Sequence, residues 1–486
     1  MNRIIIVLIL LMHMPAIGQP GFSKRHLSAD SIVIHCDLAN IKNGIVVDSV
    51  VIVGNKQTKA KIIFRELTFK IGDTIQTWDF GNRLGNSRQN LLNTSLFNFV
   101  TIADSIISDN HFTHVVLTVT LIEQWYVWPF PIVEISDRNF NAWWENKDFN
   151  RLNYGFYIVA ENMRGRMETM KILVRAGYDE RYELSYTIPY INQKQTIGAG
   201  LGVGWSQNHE IAYQTVNNKL QFVKDENQFL YKNYYSYLYL MHRHSFYDYH
   251  IIQGGYNFYS FGDTVLKLNP DYSFNNLGTN EYFSLTYRFI SDHRDSKIYP
   301  LSGYFVEGSI TKSGIGMLLN NHINMLEVAG SLRKYAGISK KFNISSDVSG
   351  KLSFNPHQPY FFQKGLGYDR MFVRGYELYV IDGQNYWLWK NTLKYTLIPT
   401  RVKNIGLIKS DKFSRIHYAA YFNWFIDAGY VGAYKNYEQD DLSNKLLLGT
   451  GLGLDFVTYY DIVFRIEFSV NRNGESGFFI HFRNTL

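Results

Sequence analysis

The sequence predicts an all-β transmembrane barrel of sixteen antiparallel strands, preceded by a small α+β domain of order β-α-α-β-β. Three observations lead there. Beyond the N-terminal run Ile4 to Leu11, no apolar stretch approaches the roughly 20 residues that a helix needs to cross hydrocarbon. Aromatic residues nonetheless make up 16% of the 486 residues, with Tyr 36 and Phe 34. A barrel uses such a load as outward apolar faces and interfacial girdles around a polar lumen. From Gln124 to the C-terminus, strand-like segments follow one another, sixteen in all, and an even count suits a closed antiparallel barrel.

The chain opens with Met1-Asn2-Arg3, the apolar run Ile4 to Leu11, then Ala16-Ile17-Gly18 before Gln19. A basic n-region, an apolar h-region and small residues at the cleavage positions read as a secretory signal peptide over residues 1–18, followed by a linker over 19–44. Cys36 is the only cysteine, so no intrachain disulfide is possible, and it lacks the Leu-x-x-Cys setting of a lipoprotein. The formal charge of +7 is scattered among strands rather than gathered in a stripe, which argues against a nucleic-acid partner.

Residues 45–123 form the first domain. Val46 to Val53 is a β-rich run stopped by the turn dipeptide Gly54-Asn55. Thr58 is placed to N-cap a helix whose apolar residues Ala60, Ile63, Phe64 and Leu67 fall at i, i+3, i+4 and i+7. Gly72-Asp73 ends that unit. A second helical pattern with Phe80, Leu84, Leu91 and Leu92 precedes two strand segments, Leu96 to Ile102 and Val115 to Leu121. In this order, "VVIVGNKQTKAKIIFRELTFKIGD" and "LLNTSLFNFVTI" resemble a POTRA domain, the periplasmic module attached to barrels of the Omp85 superfamily. The resemblance implies capture of client segments by β-augmentation, in which an extended peptide pairs with an exposed strand edge. Leu96, Phe97, Phe99, Val100 and Ile102 mark the candidate edge.

Residues 124–486 carry the barrel, with strands expected to begin near residues 125, 151, 166, 180, 195, 232, 247, 281, 301, 324, 341, 385, 415, 445, 461 and 476. Alternation is clearest late in the chain. Ile462, Phe464, Ile466, Phe468 and Val470 share one face, and Val463, Arg465, Glu467 and Ser469 the other; Phe478, Ile480 and Phe482 oppose Phe479, His481 and Arg483. A single β-sandwich is too short to absorb this run. Glycines recur at every second residue, at 198, 200, 202 and 204 and again at 449, 451 and 453. That spacing leaves one strand face bare and open to close approach from inside the barrel.

A long segment, residues 355–384, separates the eleventh and twelfth strands and contains Val373-Arg374-Gly375-Tyr376, which resembles the signature of the Omp85 superfamily. The resemblance implies that the loop folds inward and that Arg374 contacts an aromatic and an aspartate on the thirteenth strand. Phe425-Ile426-Asp427-Ala428-Gly429 supplies Phe425, Asp427 and Gly429 there. Alternation agrees independently, because Phe422, Trp424 and Ile426 make the apolar face and leave Phe425 and Asp427 inward. A planar guanidinium suits such a site, since it binds a carboxylate by two parallel hydrogen bonds while stacking on a ring. Asp292-His293-Arg294-Asp295, followed by Pro300 and Gly303, is similar to a stretch that joins two strands in this superfamily, and reads as a turn closed by carboxylate-arginine pairing.

Enzyme motifs are missing: there is no G-x-S-x-G, no H-E-x-x-H and no cysteine cluster. His242 and His244 share a strand face without a third ligand, so neither a catalytic site, a metal nor a cofactor is expected. What the resemblance implies is protein assembly or translocation at the bacterial outer membrane, with the POTRA domain in the periplasm. The implied partners are unfolded or exported client proteins, outer-membrane lipid, and periplasmic or membrane assembly subunits. It also implies a weak seam between the first strand, residues 125–135, and the last, residues 477–483. A single POTRA domain points to an accessory assembly factor or a dedicated exporter rather than the principal insertase. A passive pore and an anchoring scaffold are the other readings, and a loop tied inward to Asp427 would narrow a pore.

Overall fold

The computed structural model describes residues 44–108, 113–135, 152–315, 323–355, 358–368, 371–404, 415–433, 441–458 and 462–483. The expected signal peptide, most of the linker and Cys36 lie outside the described residues.

An α+β unit comes first. It comprises β1 (Ile45–Val53), α1 (Ala60–Glu66), β2 (Thr74–Ile75), α2 (Thr77–Asn93), β3 (Phe97–Ser108) and β4 (Thr113–Glu123). The sheet order is β2-β1-β4-β3, with β1 and β4 parallel. Strand β4 alternates: Val115, Leu117, Val119 and Leu121 are buried and the residues between them less so. That buried face joins Ile62 and Ile63 of α1 and Phe80 and Leu91 of α2 in one core. The expected element order is therefore present, with the two-residue β2 added.

Two expectations for α1 fail. No side chain caps it: Thr58 is buried, with its hydroxyl 3.0 Å from the Tyr126 hydroxyl and 2.8 Å from Asn162 Nδ2. Those tertiary partners claim the oxygen that a cap would have used. The buried face is also rotated, because Ile62 replaces Phe64, which is 41% exposed.

The remaining chain builds a sixteen-stranded antiparallel sheet. Its first eight strands are β5 (Val127–Ile135), β6 (Leu152–Met163), β7 (Glu168–Gly177), β8 (Asp179–Ile188), β9 (Ile197–Asn208), β12 (Tyr231–Arg243), β13 (Asp248–Phe261) and β14 (Thr279–Asp292). The second eight are β15 (Gly303–Ser313), β16 (Met325–Gly337), β17 (Phe342–Ser353), β20 (Asn385–Asn404), β21 (Arg415–Gly432), β22 (Leu447–Thr458), β23 (Ile462–Asn471) and β24 (Ser476–Arg483). Every strand begins within two residues of its expected start. Neighbours in sequence are neighbours in the sheet throughout, so β5 and β24 are its two edges, and no register joins them among the described residues. One face is apolar and exposed, as with Leu452, Leu454 and Phe456; the other buries Asn423, Asp427, Asp455 and Glu467.

Segments that the sequence reading passed over sit between strands. A hairpin of β10 (Glu210–Val216) and β11 (Lys219–Lys224) and a short helix α3 (Asp263–Leu268) pack with Tyr272 and Tyr360. The hairpin also grips the long loop before β20: Val380 N donates to Asn218 O at 2.9 Å, and the Thr215 and Tyr360 hydroxyls lie 3.0 Å apart. A small pair, β18 (Lys364–Leu366) and β19 (Ile381–Asp382), closes that loop on itself.

The bare glycine face of β9 is covered by its neighbour. A Cβ at Gly200, Gly202 or Gly204 would lie 2.3, 2.5 or 2.2 Å from the rings of Tyr239, Tyr237 and Tyr235 on β12. The α+β unit is tied to the large sheet by Arg243 at the end of β12, which donates to both Glu66 oxygens at 2.7 and 2.6 Å. Burial alone would raise the Glu66 carboxyl, but hydrogen bonding and charge from Arg243, with Arg65, outweigh it and hold the group below its ordinary value. Thr58 adds a second tie, since its hydroxyl accepts from Asn162 Nδ2 of β6 at 2.8 Å, while within the unit its N–H donates to Glu123 at 2.7 Å.

Candidate functional site

The long loop between the eleventh and twelfth strands brings Arg374 onto the polar face, against β21, as alternation on β21 requires. Phe425 and Asp427 are buried, whereas Trp424 and Ile426 are exposed on the other face. Arg374 Nε donates to Asp427 Oδ2 and Nη2 to Asp427 Oδ1, both at 2.7 Å, and the guanidinium carbon lies 3.8 Å from the centroid of the Phe425 ring. Side-chain exposure is 6% for Arg374 and 0% for Asp427, so the pair is withdrawn from water. Charge-assisted fork pairing and ring stacking together fix the plane of the guanidinium.

The remaining donors are also used. Nη1 donates to Glu467 Oε1 at 3.2 Å and Nη2 to the Thr392 hydroxyl at 3.1 Å. Arg374 thereby joins the loop to β20, β21 and β23 at one point. Glu467 and Thr392 are partners that sequence reasoning did not assign; alternation turns Glu467 inward on β23, but nothing local ties it to a residue 93 positions away.

The other members of the tetrad shape the fit. Val373 is buried, and a Cβ at Gly429 would lie 2.6 Å from its Cγ2, so Gly429 serves by leaving room. Gly375 has φ +96°, a left-handed conformation that glycine adopts without strain. Its carbonyl accepts from Asn471 Nδ2 at 3.0 Å. Tyr376 is buried with Leu366, Val431 and Leu447. The second glycine row receives the loop at Gly449, where a Cβ would lie 1.8 Å from Arg374 O, and leaves room at Gly451 for the Phe425 ring of β21, 2.6 Å from a Cβ there.

Around this centre lies a wider charged network. Arg465 donates to both oxygens of Asp455 at 2.6 and 2.8 Å, and Asp455 accepts from the Tyr299 hydroxyl at 2.7 Å. Lys394 sits 4.1 Å from the Tyr299 ring and Lys390 4.4 Å from the Phe372 ring. Glu377, Glu467 and His481 have ligand atoms within 4.8 Å of one another, a spacing at which a metal ion could be held. The surrounding charge disfavours one, because Arg374 and Arg465 at 3.2 and 3.7 Å already neutralise Glu467. His242 and His244 instead make ring contacts with each other and with His250. The expected turn is closed by Arg294, whose Nε and Nη2 donate to Asp292, both at 2.7 Å.

The candidate edge of the α+β unit lies on β3, the outer strand of its sheet. Leu96, which precedes β3, is buried, as are Phe97 and Val100, while Phe99 and Ile102 are half-buried.

No curated protein matches the chain. Among solved structures, the fold is similar to BamA from Haemophilus ducreyi lacking POTRA domains 1-3, at 13% identity and TM-score 0.51, covering 90% of this chain and 83% of that one. It is also similar to CdiB from Escherichia coli, at 11% identity and TM-score 0.55, covering 90% and 75%. The model of the Omp85 superfamily domain matches residues 162–385, which span β7 to the start of β20 and include the whole Val373 to Tyr376 tetrad. Over residues 162–385 the chain thus matches the Omp85 superfamily domain, and its fold is similar to those of these two proteins.

Proposed function

We propose that this protein assembles or translocates other proteins at the bacterial outer membrane, with the sixteen-stranded sheet closed as a barrel and the α+β unit acting as a periplasmic POTRA domain. The observation that carries the reading is the buried pairing of Arg374 with Asp427 and Glu467, which commits a long loop to the polar face instead of leaving an open lumen. Such a loop would narrow a passive pore. The likeness to BamA and CdiB folds supports the same direction. Clients are unfolded or exported polypeptides, captured by strand addition at β3, and they pass or pair at the seam between β5 and β24. No cofactor and no covalent catalysis take part.

The test is photo-crosslinking in cells, with photo-reactive residues at Phe99 and Phe478. Recovery of exported or outer-membrane polypeptides supports the reading. Recovery of none, together with solute flux through the purified protein in liposomes, would replace it with a pore.

A further inference from the structure

The two edges of the large sheet are unequal, and the cause is in the first strand. β5 reads Val-Trp-Pro-Phe-Pro-Ile-Val-Glu-Ile, with prolines at 129 and 131. Its register with β6 runs unbroken from Val127 opposite Ala160 to Ile135 opposite Leu152. The phase of the ladder is set by Glu161 N, which donates to Tyr126 O at 2.7 Å. Hydrogen-bonded pairs in an antiparallel ladder recur at every second residue. Trp128, Phe130, Ile132 and Glu134 therefore turn their backbone groups toward β6, and Val127, Pro129, Pro131, Val133 and Ile135 turn theirs outward. Both prolines occupy outward positions, where their missing N–H groups cost the β5–β6 pairing nothing.

The opposite edge has no such interruption. Asn471 N donates to Glu475 O at 2.9 Å, so Ser476, Phe478, Ile480 and Phe482 of β24 face outward, each with an N–H and a carbonyl.

We infer that Pro129 and Pro131 form a donor gap that keeps the first strand from completing a ladder with the last, so that the seam of the barrel is weakened from the β5 side. The inference rests on the closed-barrel reading given above. Opposite the gap, two carbonyls of β24 have no donor on β5 and depend on water or on an incoming strand. Prolines on a sheet edge also prevent that edge from templating another chain. The side of the seam left able to exchange partners is thus β24.

The experiment uses the full-length protein in liposomes, with Cys36→Ser as background. Oxidative cross-linking of Val127→Cys with Ile480→Cys reports whether the two edges meet. Hydrogen exchange at residues 476–482 is then compared between the parent and Pro129→Val/Pro131→Val, with Pro129→Thr/Pro131→Thr as a second replacement and Pro189→Val as control. Two restored backbone hydrogen bonds should slow exchange on the order of tenfold or more in both double variants, and Pro189→Val should leave it unchanged. A cross-link that forms while exchange stays at the parent rate overturns the donor gap and leaves the barrel standing. Failure of the cross-link overturns both.

Discussion

Arg374 and Asp427 meet through two parallel 2.7 Å hydrogen bonds, with the Phe425 ring beneath the guanidinium and Glu467 at its free end. A charged pair so far from water holds its geometry only while both members remain. Removing one leaves the other buried and uncompensated, at a cost of ~3–5 kcal/mol. Arg374→Ala should therefore release the loop and impair function, whereas Arg401→Ala, on an exposed stretch of β20, should change neither. Limited proteolysis of the loop in the folded protein reads the difference, and equal cleavage in both variants would contradict it. Arg374→Lys should behave closer to Ala than to the parent, because an ammonium cannot reproduce the fork.

The glycine row beneath the loop gives a test that leaves every charge in place. A methyl group at Gly449 would meet the Arg374 carbonyl at 1.8 Å, a backbone atom with no side-chain freedom to yield. Gly449→Ala should lift the loop and increase its cleavage, while heat-modifiable gel migration still reports a folded sixteen-stranded sheet. Gly254→Ala is the control, since nothing lies within 4 Å of its added carbon. Unaltered cleavage in Gly449→Ala would mean that the loop does not rest on β22.

Which parts of this were legible in the sequence follows from the range of the interaction. Strand positions were, because alternation is local: Ile462 to Ser469 read correctly residue by residue. The Arg374 and Asp427 pair was legible only through two signals together, alternation giving the side of β21 and the superfamily resemblance giving the partner. Glu467 was turned inward by pattern, yet its pairing with the loop depends on the closeness of β21 and β23, which no local rule states. Thr58 shows the opposite failure, a residue with the signature of a cap whose hydroxyl is claimed by Tyr126 and Asn162. The β10–β11 hairpin was missed because its two short strands show no clean buried-exposed alternation.

Loop release should also respond to pH. Burial pushes the Glu377 carboxyl up from 4.5 to about 7, with the Glu467 charge adding to the rise and Lys390 opposing it. A carboxyl raised in the folded state makes its contribution fully below its unfolded value, near 4.5, and loses it as pH climbs through about 7. Loop cleavage should thus increase between pH 5 and pH 8 in the parent and stay level in Glu377→Gln. His481→Gln is the companion variant, since that imidazole shares the cluster at 3.3 Å from Glu467. A parent whose cleavage does not vary over this range would show that Glu377 does not govern the loop.

Arg243 and Glu66 decide whether the α+β unit turns as a separate body or moves with the sheet. Their two hydrogen bonds of 2.7 and 2.6 Å join residues 177 positions apart, and both side chains are largely buried, at 12% and 4% exposure. Their neighbours share the same duty: Thr58 with Tyr126 and Asn162, and Tyr190, in the connection between β8 and β9, within the core of the α+β unit. Glu66→Ala strands a buried guanidinium and should cost ~3–5 kcal/mol of docking. Glu66→Gln keeps the shape but loses the charge, so it should cost less. Double electron–electron resonance between spin labels at Asp104 and Lys219 would report a single narrow distance in the parent and a broadened one in Glu66→Ala. Arg243→Ala should broaden it equally, and the double variant no further, since both changes remove the same contact. A distance that stays narrow in all three variants would assign the docking to the apolar contacts around Tyr190 and leave the ion pair without a part in it.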